Sequence, residues 1–185
     1  MESTSSSKYS DFVQTEAQTP AAPLTGDEEA FIRAFARAVV TVPRAFEADL
    51  LREQRMSLSE YFTLMHLSEN PGRRLRMSDL AAAAALSLSG MTRIVNRLEG
   101  AGLVRRERSA DDGRGWHAVL TDAGLERLRQ AWPTHLASAR RHLFDHLTEV
   151  DLAAIAVALQ QVAADSASAA GTAVCGEDAA LPAVP

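Results

Sequence analysis

Apolar residues near the start of the chain return every three or four positions. Phe31, Phe35, Val39, Val42, Phe46 and Leu50 follow one another at that spacing behind Asp27, Glu28 and Glu29, acids that suit the positive end of a helix. The pattern predicts a first helix over about 27–55, kinked at Pro43, whose ring removes one backbone donor. Ser57 or Ser59 can cap a second helix bearing Tyr61, Phe62, Met65 and Leu67, which ends in the turn Asn70-Pro71-Gly72. Arg73 to Met77 reads as a minor strand. Ser78 is expected to cap an Ala-rich helix over Asp79 to Leu86, and Ser87 a further helix that runs to about Glu99 and stops at Gly100 to Gly102. Two short helices in series predict a helix-turn-helix.

Leu103 to Arg108 and Trp116 to Leu120 then read as two strands joined by Ser109 to Gly115, a turn rich in Asp and Gly. Thr121 caps a long helix from Asp122, bent at Pro133 and continuing to Leu147. Thr148 is expected to cap the last helix, with Glu149 and Asp151 in its first turn and Leu152, Ile155, Leu159 and Val162 behind. The predicted fold is mainly α with a small β-hairpin wing: a winged helix-turn-helix domain over about 57–122, with dimerisation helices at about 27–55 and 134–165 inside a unit spanning 27–165. The ends, 1–26 and 166–185, are built of Ser, Thr, Ala, Gly and Pro without apolar period and read as disordered tails.

With 46% hydrophobic residues, 185 residues suffice for one packed core. The longest apolar runs, Leu80 to Leu86 and Leu152 to Leu159, fall far short of the roughly 20 residues of a membrane span. The Ser- and Thr-rich start has no basic-then-apolar pattern, so a cytoplasmic protein is expected. A single cysteine, Cys175, excludes an internal disulfide and is expected to be an inert thiol, with a redox switch as the alternative.

The net charge of −5 looks wrong for a nucleic-acid binder, but it hides a division. From Pro71 to Trp116 there are nine arginines and five acids, a local balance of +4, so the rest of the chain carries −9. A basic middle in an acidic frame makes a local footprint for phosphate, although Arg-rich segments can also be plain solvated surface.

The chemistry concentrates in the helix from Leu88. Met91, Ile94, Val95 and Leu98 form its apolar face, and the opposite face presents Ser89, Thr92, Arg93, Asn96 and Arg97, with Ser87 and Gly90 at the N-terminal end. Such a helix fits the major groove, where Arg pairs with guanine, Asn with adenine, and Ser or Thr with base edges or phosphates. Gly90 costs roughly 1 kcal/mol of helix propensity relative to Ala, which points to close approach, by DNA backbone or by a packed neighbour. An ordinary amphipathic surface helix remains the alternative. In the hairpin, Arg105, Arg106 and Arg108 lead to Asp112, Gly113 and Arg114 at the tip. A protruding Arg114 suits a narrow minor groove, and Asp112 can brace it by a charge-assisted bond. An Asp-Gly turn with incidental charge is the plainer reading.

Arg76-Met-Ser-Asp-Leu-Ala, then Leu86-Ser-Leu-Ser-Gly-Met-Thr-Arg-Ile-Val-Asn-Arg-Leu-Glu-Gly-Ala-Gly-Leu-Val-Arg-Arg-Glu-Arg-Ser, then Asp112-Gly-Arg-Gly and Leu120-Thr-Asp-Ala-Gly resemble the MarR (multiple antibiotic resistance regulator) family over roughly residues 28–165. The resemblance implies a helical dimer with two winged domains, recognition helices in adjacent major grooves, and Arg114 as the wing arginine with Asp112 as its brace. Gly113 stands where the family often has a second Arg, and Leu88 where a polar residue is common. The DNA-contact set expected is Ser87, Ser89, Gly90, Thr92, Arg93, Asn96, Arg97, Arg106, Arg108, Asp112 and Arg114. The family dimerises through its first and last helices, which implies an interface of Phe31, Phe35, Leu143, Leu147, Leu152, Ile155 and Leu159. Those stripes could instead fold back on their own subunit.

His142 and His146 are four apart beside Asp145, with His135 two turns earlier, a spacing a transition metal could use, but no cysteine or HExxH partner supports a site and no metal is expected. Tyr61, Met65 and His66 are candidates for an effector pocket, or simply for the core. The whole reads as a sequence-specific transcriptional regulator, a ligand-responsive repressor that binds a pseudo-palindromic operator in double-stranded DNA as a homodimer. Its partners are DNA, a second copy and a small-molecule effector, with no cofactor and no membrane. The alternative is a helical dimeric protein-interaction module whose winged domain does not grip DNA. An enzyme is not expected, since no phosphate loop, nucleophile elbow or zinc-ligand set appears.

Overall fold

The structure is a computed structural model that describes residues 22–108 and 115–169. It divides into two units, one ending at Val39 and one beginning at Val40. In the first, the opening of helix α1 (Gly26–Gln54) is fixed by Thr25, whose backbone N–H and hydroxyl both donate to Glu28 Oε2, at 2.7 and 2.9 Å. Phe31 and Phe35 stack with ring centres 5.9 Å apart, and both are exposed together with Ile32 and Val39.

In the second unit α1 ends at Gln54, having passed Pro43 without a break. Helix α2 (Leu58–Glu69) starts with a full capping box: Ser57 Oγ accepts from Glu60 N at 3.2 Å and Glu60 Oε2 accepts from Ser57 N at 2.9 Å. A 3-10 turn, Pro71–Arg73, leads into strand β1 (Arg74–Arg76). Helix α3 (Met77–Ala83) follows directly. Ser78 does not cap it, because Met77 is already helical; the Ser78 hydroxyl donates instead to Asp79 Oδ1 at 3.0 Å, and the helix stops three residues short of Leu86.

Helix α4 (Leu88–Gly100) is capped by Ser87, and the chain leaves it through Gly102, whose φ of +73° favours glycine. Strands β2 (Val104–Arg108) and β3 (Trp116–Leu120) pair antiparallel, and β3 also pairs with β1, giving the order β1-β3-β2 with Leu75 opposite Ala118 and Arg106 opposite Ala118. The fold is thus mainly helical with a small antiparallel sheet.

Thr121 opens helix α5 (Asp122–His142) by accepting from Gly124 N at 3.0 Å, and its hydroxyl lies 2.8 and 3.0 Å from the carbonyls of Gly102 and Leu103. The helix ends at His142 rather than Leu147, giving way to a 3-10 turn at Phe144–His146. Helix α6 (Leu152–Ala169) is not capped by Thr148, which lies too early: Asp151 Oδ1 accepts from Ala153 N and Ala154 N at 3.0 and 3.1 Å. The core gathers Leu50, Tyr61, Leu64, Leu67, Leu80, Met91, Val95, Leu98, Val104 and Leu120, so α2, α3, α4 and the sheet share one interior. Among the described residues no helix is long and apolar enough to cross a membrane.

Candidate nucleic-acid interface

Helix α4 buries Met91, Ile94, Val95 and Leu98, which fixes which side remains outside. Ser89, Arg93, Asn96 and Arg97 are exposed on that side, while Thr92 is half-buried with its hydroxyl donating to Leu88 O at 2.8 Å. At the N-terminus Ser87 Oγ accepts from Gly90 N at 3.1 Å and lies 3.1 Å from the Ser89 hydroxyl. A Cβ on Gly90 would come 3.2 Å from Ser87 Oγ, so the cap itself supplies the close neighbour that the sequence implies.

The arginines around this face differ in how far they are committed. Arg97 Nε pairs with Glu60 Oε1 at 3.1 Å, and Arg105 Nη2 with Glu107 at 2.6 Å. Arg106 turns back onto α4, bonding the Asn96 side-chain oxygen and pairing with Glu99 at 3.5 Å. The Arg108 guanidinium lies 5.5 Å from the centre of the Trp116 ring, which orients it while leaving its N–H edge for another acceptor. Arg93 makes no hydrogen bond or ion pair among the described residues, and it is exposed. Between α4 and the foot of the hairpin runs a cleft of about 830 Å³ whose lining includes Arg76, Met77, Leu88, Thr92, Arg106 and Trp116. Trp116 was not among the residues expected at the site; it stands 45% exposed at the start of a strand whose other four residues are buried, and a large aromatic next to the basic hairpin turn is the signal that could have drawn it in. Asp112, Gly113 and Arg114, like Cys175, lie outside the described residues.

The remaining candidates separate. Tyr61 is fully buried, and burial pushes its hydroxyl well above the usual range. Its oxygen and the nearby His135 Nδ1 both lack a hydrogen-bond partner among the described residues, with the two rings 4.6 Å apart. Burial lowers His135 and His66 below the ordinary histidine value. Met65 and His66 are half-buried, so of the three effector candidates Tyr61 belongs to the core. His142 and His146 do not share a helical face, since α5 ends at His142, which bonds Asp49 at 3.1 Å. Of the proposed interface residues, Phe31, Phe35, Leu152 and Leu159 are exposed, and Leu143, Leu147 and Ile155 half-buried.

A sequence profile of the MarR family matches residues 56–115, from the start of α2 to the foot of β3. Among solved structures, AbsC, a MarR family transcriptional regulator from Streptomyces coelicolor, is 38% identical over 80% of this chain and 99% of its own, with a TM-score of 0.72. The chain belongs to the MarR family. Sco3205, a MarR family transcriptional regulator from the same organism solved in complex with DNA, is 34% identical over 80% of this chain and 92% of its own, with a TM-score of 0.73. The transcriptional repressor MprA of Escherichia coli strain K12 is 31% identical over 84 residues, 45% of this chain and 48% of its own. The chain spans about half the length of the curated relatives it matches. The matching profile takes in α2 through β2 and stops before β3, a region that includes the arginine-rich face. These relatives are regulators rather than enzymes.

Proposed function

We propose that this MarR family chain is a sequence-specific DNA-binding repressor of transcription that holds a pseudo-palindromic operator as a homodimer. The observation that carries the reading is the outer face of α4: Arg93 exposed beside Asn96 with no hydrogen bond or ion pair among the described residues, on a helix anchored by four buried apolar residues. A rigidly seated helix with an uncommitted guanidinium suits base readout in the major groove, since the donors need not be released from another bond first. Arg108 and, by sequence, Arg114 would extend the contact along the hairpin to the flanking minor groove, with Asp112 as the brace of Arg114.

The solved complex of Sco3205 with DNA supports the assignment of DNA as partner, and the name of MprA supports repression. Dimerisation is supported by the exposed apolar residues of α1 and α6, Phe31, Phe35, Leu152 and Leu159 among them, which water alone would leave uncovered. Response to a small-molecule effector is proposed on family membership. Titration of the purified chain against its own upstream DNA, with unrelated DNA of equal length as competitor, tests the reading. Retarded complexes that resist the competitor are expected; equal affinity for both DNAs would overturn sequence-specific regulation.

A further inference from the structure

Arg106 sits on β2 and reaches back over α4 with its side chain only 24% exposed. Its Nη2 donates to the Asn96 side-chain oxygen and lies 3.4 Å from the Thr92 carbonyl. Its Nη1 pairs with Glu99 Oε2 at 3.5 Å, and its backbone N–H donates to the other oxygen of that carboxylate at 3.2 Å. The guanidinium is therefore held at both ends and is directed at the helix rather than outward. A guanidinium has donors only, so the part of the Asn96 amide that meets it is the oxygen, and the rotation of that amide is settled by chemistry. Asn96 is exposed on the same face as Arg93.

An asparagine free to turn suits adenine, because it offers one donor to N7 and one acceptor to the N6 amino group. One of the two lone pairs of the Asn96 oxygen is engaged by Arg106, which turns that oxygen toward β2 and leaves the two amide N–H donors as the groups that can face a base. We infer that Arg106 is a positioning residue that holds Asn96 as a donor-only reader, so that the operator position facing Asn96 carries a keto edge, guanine or thymine, and not adenine. Guanine offers two adjacent acceptors, O6 and N7, and thymine O4; adenine offers N7 alone, beside an amino group that sets donor against donor, and cytosine only an amino group, so adenine and cytosine each leave a donor unpaired. Glu99 fixes the far end of Arg106, so the bond to Asn96 does not depend on a long side chain finding its place. The inference rests on the DNA-binding reading above and deepens it, replacing direct contact by Arg106 with control of its neighbour.

Selection of bound duplexes from a random pool, using the full chain and its variants Asn96→Ala, Arg106→Met and Arg106→Lys, tests it. Asn96→Ala is expected to flatten the preference at one position per half-site, and the unaltered chain to favour guanine or thymine over adenine there by about tenfold or more. Arg106→Met, which keeps the apolar stem and removes every donor, is expected to move that position toward adenine and to leave the others unchanged. Arg106→Lys retains a donor and is expected to keep the keto preference. Adenine selected at the Asn96 position by the unaltered chain, no position flattened by Asn96→Ala, or a preference unmoved in a folded Arg106→Met would each overturn the role of Arg106. If melting shows Arg106→Met to be unfolded, the unaltered chain and Asn96→Ala decide the matter alone. Selection of no sequence at all by the unaltered chain would overturn the regulator reading itself, and this inference with it.

Discussion

The Asp49 carboxylate accepts a 2.7 Å hydrogen bond from the hydroxyl of Ser138, 89 residues further along the chain. The contact joins α1 to α5, and both residues are buried. Arg52, Arg141 and His142 gather round the same carboxylate at 2.6, 3.2 and 3.1 Å. The Ser138 bond, more than any other contact, holds the Asp49 carboxyl down at about 2, against the opposing effect of burial and with help from Arg52, His142 and Arg141.

Because the unfolded chain takes up the proton near the ordinary value of 3.8, it binds more protons than the folded chain between there and about 2, and stability rises with pH across that interval. The contribution of Asp49 is complete above the upper value and disappears as pH falls through the lower. Asp49→Asn is expected to lower stability at neutral pH by about 2 kcal/mol, the order of a hydrogen bond to a charged group. Thermal melts of both proteins over a pH series check this: the gap should narrow only below the ordinary carboxylate value, and a gap constant down to the acid limit would contradict it.

Gly124 supplies a second test. A Cβ there would lie 2.1 Å from the Leu103 carbonyl oxygen and 2.7 Å from Leu120 Cδ1, and the backbone atom cannot step aside without dragging the start of β2. Gly124→Ala is expected to cost about 3 kcal/mol, at the upper end for overfilling a packed site. Denaturant unfolding measures it, and an unchanged midpoint would show that the first turn of α5 moves more freely than its contacts imply.

Arg93→Ala should separate base reading from phosphate binding. A base contact is worth about 1 to 3 kcal/mol of discrimination, so binding to a selected site should weaken roughly tenfold or more beyond any loss on random DNA. Equal losses on both, measured by fluorescence anisotropy, would assign Arg93 to the backbone.

For Arg114, outside the described residues, the expectation comes from sequence. Arg114→Ala should reduce the slope of log affinity against log salt by about one and weaken the preference for A·T-rich flanks, where the groove is narrow. Asp112→Ala should reproduce part of the flank effect. Wild-type affinity, slope and flank preference together in Arg114→Ala would mean that the hairpin does not grip DNA.

The exposed apolar face of α6 predicts self-association. Leu152, Val157, Leu159 and Val162 are 42–57% exposed. Sedimentation at micromolar concentration should give a dimer, and Leu159→Asp should shift it to a monomer while leaving the helical content intact; a monomeric parent would contradict the assignment.

What could be read from sequence follows the range of the interactions. Ser57 with Glu60, Ser87 with Gly90 and Thr121 with Gly124 are caps made within three residues, so spacing locates α4 and α5 and narrows the start of α2 to Ser57 or Ser59. Where two residues competed for one cap the outcome was less legible: Asp151 displaces Thr148 because its carboxylate reaches two N–H groups, and Ser78 loses its role because β1 runs straight into α3. The outer face of α4 was legible from its period, but the commitments of its side chains were not. Arg97 to Glu60 and Arg106 to Asn96 span different elements, and nothing local in the sequence distinguishes them from Arg93. The Asp49 network is the extreme case, since its acceptor and its principal donor belong to different helices and stand 89 residues apart in the chain.

Thr121 stands at the junction where α4 has just ended, the hairpin has just closed and α5 begins. One side chain fastens all three, accepting from the new helix while its hydroxyl abuts two carbonyls of the segment that leaves the old one. A joint pinned by three such contacts is expected to couple the elements, so that a rotation of α5 carries the end of α4 with it. If α4 enters the major groove as proposed, its tilt is set by this joint, and more of the work of fitting that angle is expected to fall on the DNA, whose own stiffness then becomes part of what is recognised.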